Sequence, residues 1–212
     1  MSEQQPPDAE SPFTDRTPPP TAAPHPIRLV VFDDLKRSRL TVFLRLLLAI
    51  PHFLWSFYVW AGVIGICVIV NWFATLIKGR TPEDLHLLLV RALRYRTHFF
   101  SYMALVSNPY PTFFGRHGAH PVDIEVEERD EQRRVITFFR LILAIPAIVT
   151  AYVFLLVMFF VAFLGWFIAL VIGRLPKGMR DLSAYCLQYE AQVAAYLMIL
   201  TDRYPSFSGP RS

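Results

Sequence analysis

Residues 39–51 read RLTVFLRLLLAIP and residues 134–146 read RVITFFRLILAIP. They open two apolar runs, Leu40 to Ile77 and Val135 to Ile172, each of 38 residues and each a copy of the other. Arg39, Arg45 and Pro51 recur as Arg134, Arg140 and Pro146 at an offset of 95, whereas Trp72, Gly79, Arg80 and Pro82 recur as Trp166, Gly173, Arg174 and Pro176 at 94. The second copy has therefore lost one residue between these two sets. Apolar blocks of this length are not wetted by water, so they point to a lipid bilayer.

Composition agrees. The chain has 212 residues, 54% of them hydrophobic, and its mean hydropathy is +0.36. The formal charge of +4 is unevenly spread. Residues 1–24 set Glu3, Asp8, Glu10 and Asp15 against Arg16 alone, so the cations gather beside the apolar runs, where anionic headgroups would sit. Cys67 and Cys186 stand in unlike contexts and suggest neither a disulfide framework nor a metal site. Residues 1–24 carry no basic segment leading into an apolar core, as a secretory signal would, so a cytoplasmic N-terminus is expected.

The order of segments follows from local composition. Residues 1–24 are rich in proline and poor in large apolar groups, so they are expected to form a disordered acidic tail. The Pro18-Pro19-Pro20 run within it is able to form a polyproline helix. The first repeat is assigned to 25–114, a linker to 115–119, the second repeat to 120–207 and a C-terminal tail to 208–212. Each repeat begins with a short β-prone run, His25 to Phe32 and His120 to Glu127. The second alternates apolar with acidic residues, and since a lone strand is unstable, the two are expected to pair on one side of the membrane.

A straight helix of 38 residues is about 57 Å long, against roughly 30 Å of hydrocarbon. Two readings fit: a hairpin of two short spans, or an interfacial helix followed by one long tilted span. Cations at both ends of each run and the aromatic cluster Trp55 to Trp60 favour the hairpin. The unbroken apolar sequence from Tyr152 to Phe160 opposes it. After each Gly-Arg-x-Pro comes a helix with proline in its first turn, Pro82 to Val106 and Pro176 to Leu200, too charged to face lipid all round and expected at the interface. The fold class expected is an all-α membrane protein of two tandem repeats, each a membrane helical hairpin plus an interfacial amphipathic helix, with short paired β-strands on the cytoplasmic side.

Taken together, the R-L-x-L-A-I-P lines at 45–51 and 140–146, the W-F runs at 72–74 and 166–168, G-R-x-P at 79–82 and 173–176, A-Y-L-x-x-L-T-D at 195–202 and Y-P-x-F at 110–113 and 204–207 resemble the DUF4389 family of bacterial membrane proteins. The first copy departs at Ser107-Asn108, where the second keeps Thr201-Asp202. The resemblance implies no activity, cofactor or catalytic residue.

The polar residues offer few candidates for chemistry. Arg45 and Arg140 lie roughly 9 Å inside the apolar edge, where a charge must snorkel to the headgroups or find a partner, for which Asp181 and Asp202 are nearest in kind. Asn71, matched by Gly165, suits an interhelical hydrogen bond at the repeat interface. Arg91, Arg94 and Arg96 form a basic face suited to anionic lipid; no nucleic-acid motif accompanies them. His117 and His120 have a spacing that zinc tolerates but lack a second ligand pair, so no metal is assigned. The acidic run Glu125, Glu127, Glu128, Asp130 and Glu131 reads as a solvated face. No nucleophile with its base, no carboxylate pair and no phosphate loop is present, so no cofactor and no enzymatic activity are assigned. The expectation is a non-catalytic scaffold or accessory subunit, multi-pass in the cell membrane, whose partners are the bilayer, an unidentified protein and, optionally, a second copy of the chain. A small transporter or channel using the repeat interface is the alternative, and a lipid-acting enzyme a third.

Overall fold

The structure is a computed structural model that describes residues 25–127 and 131–210. The expected tail over 1–24, and Glu128 and Asp130 of the acidic run, lie outside the described residues. Those described form five α-helices and one two-stranded sheet.

The first apolar run is one helix from end to end. Ser38 opens α1 (Arg39–Leu54) by accepting the Thr41 amide on its side chain. A π-wound segment, Trp55–Trp60, carries the chain directly into α2 (Ala61–Lys78). Gly79, at φ 76°, ends it in the left-handed conformation that glycine adopts without strain. The second run is a single α-helix, α4 (Arg134–Ile172), closed in the same way by Gly173 at φ 75°. The expected hairpins are therefore corrected: neither run turns at its centre. No proline or glycine interrupts Trp55 to Trp60 or Tyr152 to Phe160, so every backbone group there finds its partner along the helix. Pro51 and Pro146 lie inside their helices without ending them.

The π segment also accounts for the missing residue. The buried residues along the first helix, among those described, are Val42, Arg45, Ala49, His52, Ile64, Asn71 and Thr75. Those of α4 are Thr137, Arg140, Ala144, Ala147, Met158, Gly165 and Ala169, the same positions one by one. The offset is 95 up to His52 and 94 from Ile64 onward, so the change falls across Trp55–Trp60. A π turn holds an extra residue in the helix without rotating the succeeding turns out of register. Both helices thus keep one inward stripe at spacings of three and four.

Outside that stripe both long helices expose large apolar residues along their whole length, from Leu40 and Leu46 to Ile77 in the first and from Val135 and Leu141 through Phe159 to Val171 in the second. By length and composition α2 and α4 are each able to cross a membrane.

The two long helices run in opposite senses and clasp each other at both ends. The Arg37 amide donates to the Gly173 carbonyl at 3.0 Å, and the Gln132 amide to the Gly79 carbonyl at 2.8 Å. Beside these, Trp166 Nε1 donates to the Val42 carbonyl at 2.8 Å and Trp72 Nε1 to the Thr137 carbonyl at 2.9 Å. Each tryptophan of the repeated W-F run therefore reaches across to the other copy.

Proline caps open α3 (Glu83–Met103) and α5 (Lys177–Leu197), which form a second layer beneath the long helices. These two helices, expected at a membrane interface, are also core elements of the protein. α5 is buried along most of its length, from Ser183 to Tyr196, and α3 buries Leu89, Leu93, Phe99 and Tyr102. Part of their charge is absorbed by ion pairs: Arg94 with Asp123 at 2.7 Å, and Arg96 with Glu190.

The third layer is the sheet. β1 (Ile27–Val31) pairs antiparallel with β2 (Val122–Val126), Leu29 opposite Ile124, as the alternation of the second strand implied. Ile27, Leu29, Val31, Val122 and Ile124 face inward onto α3 and α5. The free edge of β1 is covered by α5: Gln188 accepts the Leu29 amide and donates to the Ile27 carbonyl at 2.9 Å.

Candidate functional site

At the ends of the second layer, two arginines do the same task. α3 and α5 each finish with a non-glycine residue in the left-handed region, Leu105 at φ 59° and Ile199 at φ 62°, which leaves several terminal carbonyls pointing into the protein. Arg45 donates to the carbonyls of Tyr102 and Ser107 and lies over the Tyr102 ring, 4.3 Å from its centroid. Arg140 donates to the carbonyls of Tyr196 and Thr201, the latter at 2.9 Å, and lies 4.5 Å over the Tyr196 ring. Both residues are only 2% exposed. They turn inward, rather than snorkelling outward, because a helix C-terminus supplies what a buried guanidinium needs, oxygen acceptors at the negative end of a dipole.

The acids named as partners for these arginines do not bond to them directly, although the Asp202 charge acts on Arg140 from a distance. Asp202 lies 3.9 Å from Arg133, and Asp181 2.7 Å from its neighbour Arg180. Asn71 joins the copies: its amide donates to the Met198 carbonyl at 3.2 Å and accepts the Thr75 hydroxyl. At the matching position a Cβ on Gly165 would come 2.8 Å from Leu175 Cδ1, so the Leu175 side chain would have to shift.

One copy contains groups that the sequence did not single out. Buried His52 on α1 approaches Tyr95 Oη of α3 at 3.0 Å, and Ser56 of the π segment approaches the same hydroxyl at 3.1 Å. Phe113 stacks on the His52 ring at 4.3 Å. In the other copy Ala147 replaces His52, which is why repetition gave no signal there. A buried imidazole pair, His98 and His120, stacks at 4.7 Å under β2. His117 and His120 diverge, the first 3.0 Å from Asp123 and the second 3.2 Å from Ser107 Oγ. Among the described residues no three His, Cys, Asp or Glu side chains gather as a metal would require.

Burial alone would raise the Asp123 carboxyl. The His98 imidazole, the Gly118 and Ile124 amides and the Arg94 guanidinium outweigh it and hold the group well below the usual carboxylate range. His120 is pushed down to about 4, first by burial and then by the neighbouring His98. Its proton affinity is thus lower folded than unfolded, so its contribution to stability is complete above the ordinary imidazole value of about 6.5 and is lost as pH falls toward 4. Stability in detergent is expected to drop by up to about 3 kcal/mol across that window. His120→Asn, which keeps an acceptor for the Val122 amide, should flatten the pH dependence of the melting temperature. An unchanged slope would remove His120 as its source.

Between α1, α3 and α4 the long helices part to leave an apolar groove of about 490 Å³, lined chiefly by Leu46, Phe53, Phe100, Leu155, Phe159 and Phe163, with Arg45 at one margin.

The family model of a domain of unknown function, DUF4389, matches this chain twice, over residues 39–115 and 134–209. The chain belongs to DUF4389. Comparison with curated proteins gives no match. Comparison with solved structures gives none either. Each DUF4389 copy holds one long helix, one second-layer helix and one arginine clamp, while β1 and β2 lie outside both copies. Arg94 and Arg96, in the first DUF4389 copy, spend their charge on Asp123 and on Glu190 of the second. Arg91 is exposed and borders a hollow with Phe114 and Arg116.

Proposed function

We propose that this protein is a non-catalytic membrane scaffold or accessory subunit, held in the cell membrane by its long helices, with the sheet and N-terminus on the cytoplasmic side. One observation carries the reading. A side of the molecule built from two helices, each about 58 Å long, exposes large apolar residues from end to end, while the opposite layer is charged. The rim cations Arg39, Lys78, Arg80, Arg134 and Arg174 suit anionic lipid, each contributing about 1 kcal/mol near such a surface. Exposed Phe32 at the end of β1 and the Arg28, Glu125 and Glu127 pairs beside it form the face offered to a partner protein. A transport path has less to stand on, since Asn71, the polar group best placed for one, is engaged by Met198 and Thr75.

The full chain is expected to remain in the membrane pellet through an alkaline carbonate wash. Purified in mild detergent, it should carry anionic lipid and a reproducible protein partner. Recovery in the soluble fraction would refute the membrane reading. Solute flux in liposomes holding the purified chain alone would replace scaffold with transporter.

A further inference from the structure

We infer that the two long helices do not cross the bilayer but lie along it, seated in the acyl chains of one leaflet, so that both DUF4389 copies enter and leave by the same membrane face. This rests on the membrane reading above and adds orientation and depth to it.

A crossing would make demands that the fold does not meet. The long helices are antiparallel, the start of each beside the end of the other through the Arg37–Gly173 and Gln132–Gly79 bonds. If their axes ran across the membrane, one copy would be inverted relative to the other, and the second and third layers would sit beside the helix middles at bilayer mid-depth. α5 fixes this level. Near one end its Met179, with Leu175 just ahead of the helix, lies beside Gly165, and near the other its Tyr196 carbonyl takes Arg140. Gln188, between them, holds β1. The sheet therefore lies over the centre of α4, with Arg28, Asp123, Glu125 and Glu127 on it and Arg94, Arg96 and Glu190 beside it. Glu125 and Glu127 are nearly half exposed and would meet hydrocarbon there, which charged groups avoid.

Lying flat removes each objection. A helix roughly 10 Å across fits within the hydrocarbon of one leaflet, roughly half of 30 Å. Apolar exposure then has a use along the whole length, from Val135 to Val171, where a crossing helix of about 58 Å would project far beyond the core at either end. The cations at all four helix ends, Arg39 with Arg174 and Arg80 with Arg134, reach headgroup phosphates of a single surface. The groove between α1 and α4 opens among the exposed side chains of Leu46, Phe53, Phe159 and Phe163, so a lipid acyl chain is its occupant. The charged sheet stands in water.

The test uses the full chain in sealed vesicles, with Cys67→Ser and Cys186→Ala as background and single cysteines in place of Arg39, Arg80, Arg134 and Arg174 in turn. A membrane-impermeant maleimide is expected to label all four from one side and none from the other. Crossing predicts instead that Arg39 and Arg174 label from one side and Arg80 and Arg134 from the opposite one, which would overturn the inference while leaving the membrane reading intact. Loss of the chain from carbonate-washed vesicles would sink both. Should the variants fail to fold, polarised infrared spectra of the unaltered chain in oriented bilayers decide: amide I dichroism of in-plane helices supports the proposal, and dichroism of helices along the normal refutes it.

Discussion

Arg140→Ala is expected to destabilise the fold by about 3–5 kcal/mol, and Arg45→Ala by a similar amount. Each substitution removes a guanidinium that is 2% exposed and leaves buried carbonyls without a donor, those of Tyr196 and Thr201 in one copy and of Tyr102 and Ser107 in the other. An unpaired buried acceptor costs about 1–3 kcal/mol, and loss of the contact with the tyrosine ring adds to that. Lysine should rescue little, because one ammonium does not span two carbonyls from the plane in which arginine stacks on the ring. Gln132 sharpens the case: its Oε1 accepts Arg140 Nη2 at 2.9 Å and would lose that donor as well. Thermal unfolding in detergent can be followed by thiol-reactive dye at Cys186, buried in the folded protein. Arg140→Lys melting with the parent would show that the planar group is not needed and would end the clamp interpretation.

Asp33→Ala should be comparably damaging, at about 3–5 kcal/mol, for a different reason. Arg37 has a fully buried side chain and pairs with Asp33 at 2.6 Å, and Asp33 is itself buried. Without the carboxylate the arginine keeps bonds to the carbonyls of Leu105 and Val106 but has lost its counter-charge. In the second copy a neutral residue takes the place of Arg37. Gln132, the counterpart of Arg37, donates to the Ile199 carbonyl at 2.6 Å as Arg37 does to that of Leu105. The pair Asp33→Ala with Arg37→Gln should therefore recover most of the loss. If the double variant is no more stable than the single one, uncompensated charge is not the cause.

Much of this was legible in the residues, and the rest was not for identifiable reasons. Repetition, the helix ends at Gly79 and Gly173, the pairing of the two strands and the interhelical bond of Asn71 all follow from local pattern. Apolar length alone does not separate a hairpin from one long helix, because cations at both ends suit either. The aromatic cluster Trp55–Trp60 looked like the far rim of a hairpin and is instead the point where the first helix absorbs an extra residue. Arg45 and Arg140 invited acidic partners, yet their acceptors are chiefly backbone carbonyls, joined by Gln132 Oε1 for Arg140, and no side-chain pattern reveals those carbonyls. Arg94 and Arg96 looked like a free basic face because Asp123 and Glu190 are distant in sequence. His52 had no counterpart to draw attention to it.

The reciprocal fastening of helix ends bears on how such a domain stands alone. Within one copy the carbonyl of Gly79 has no mate, since the amide that meets it belongs to Gln132, and the same holds for Gly173 and Arg37. Trp72 and Trp166 likewise bond outside their own half. A polypeptide bearing a solitary copy would leave those groups to water or to a sister molecule, whereas head-to-tail fusion supplies them within one chain and frees each half to diverge, as His52 and Ala147 already have.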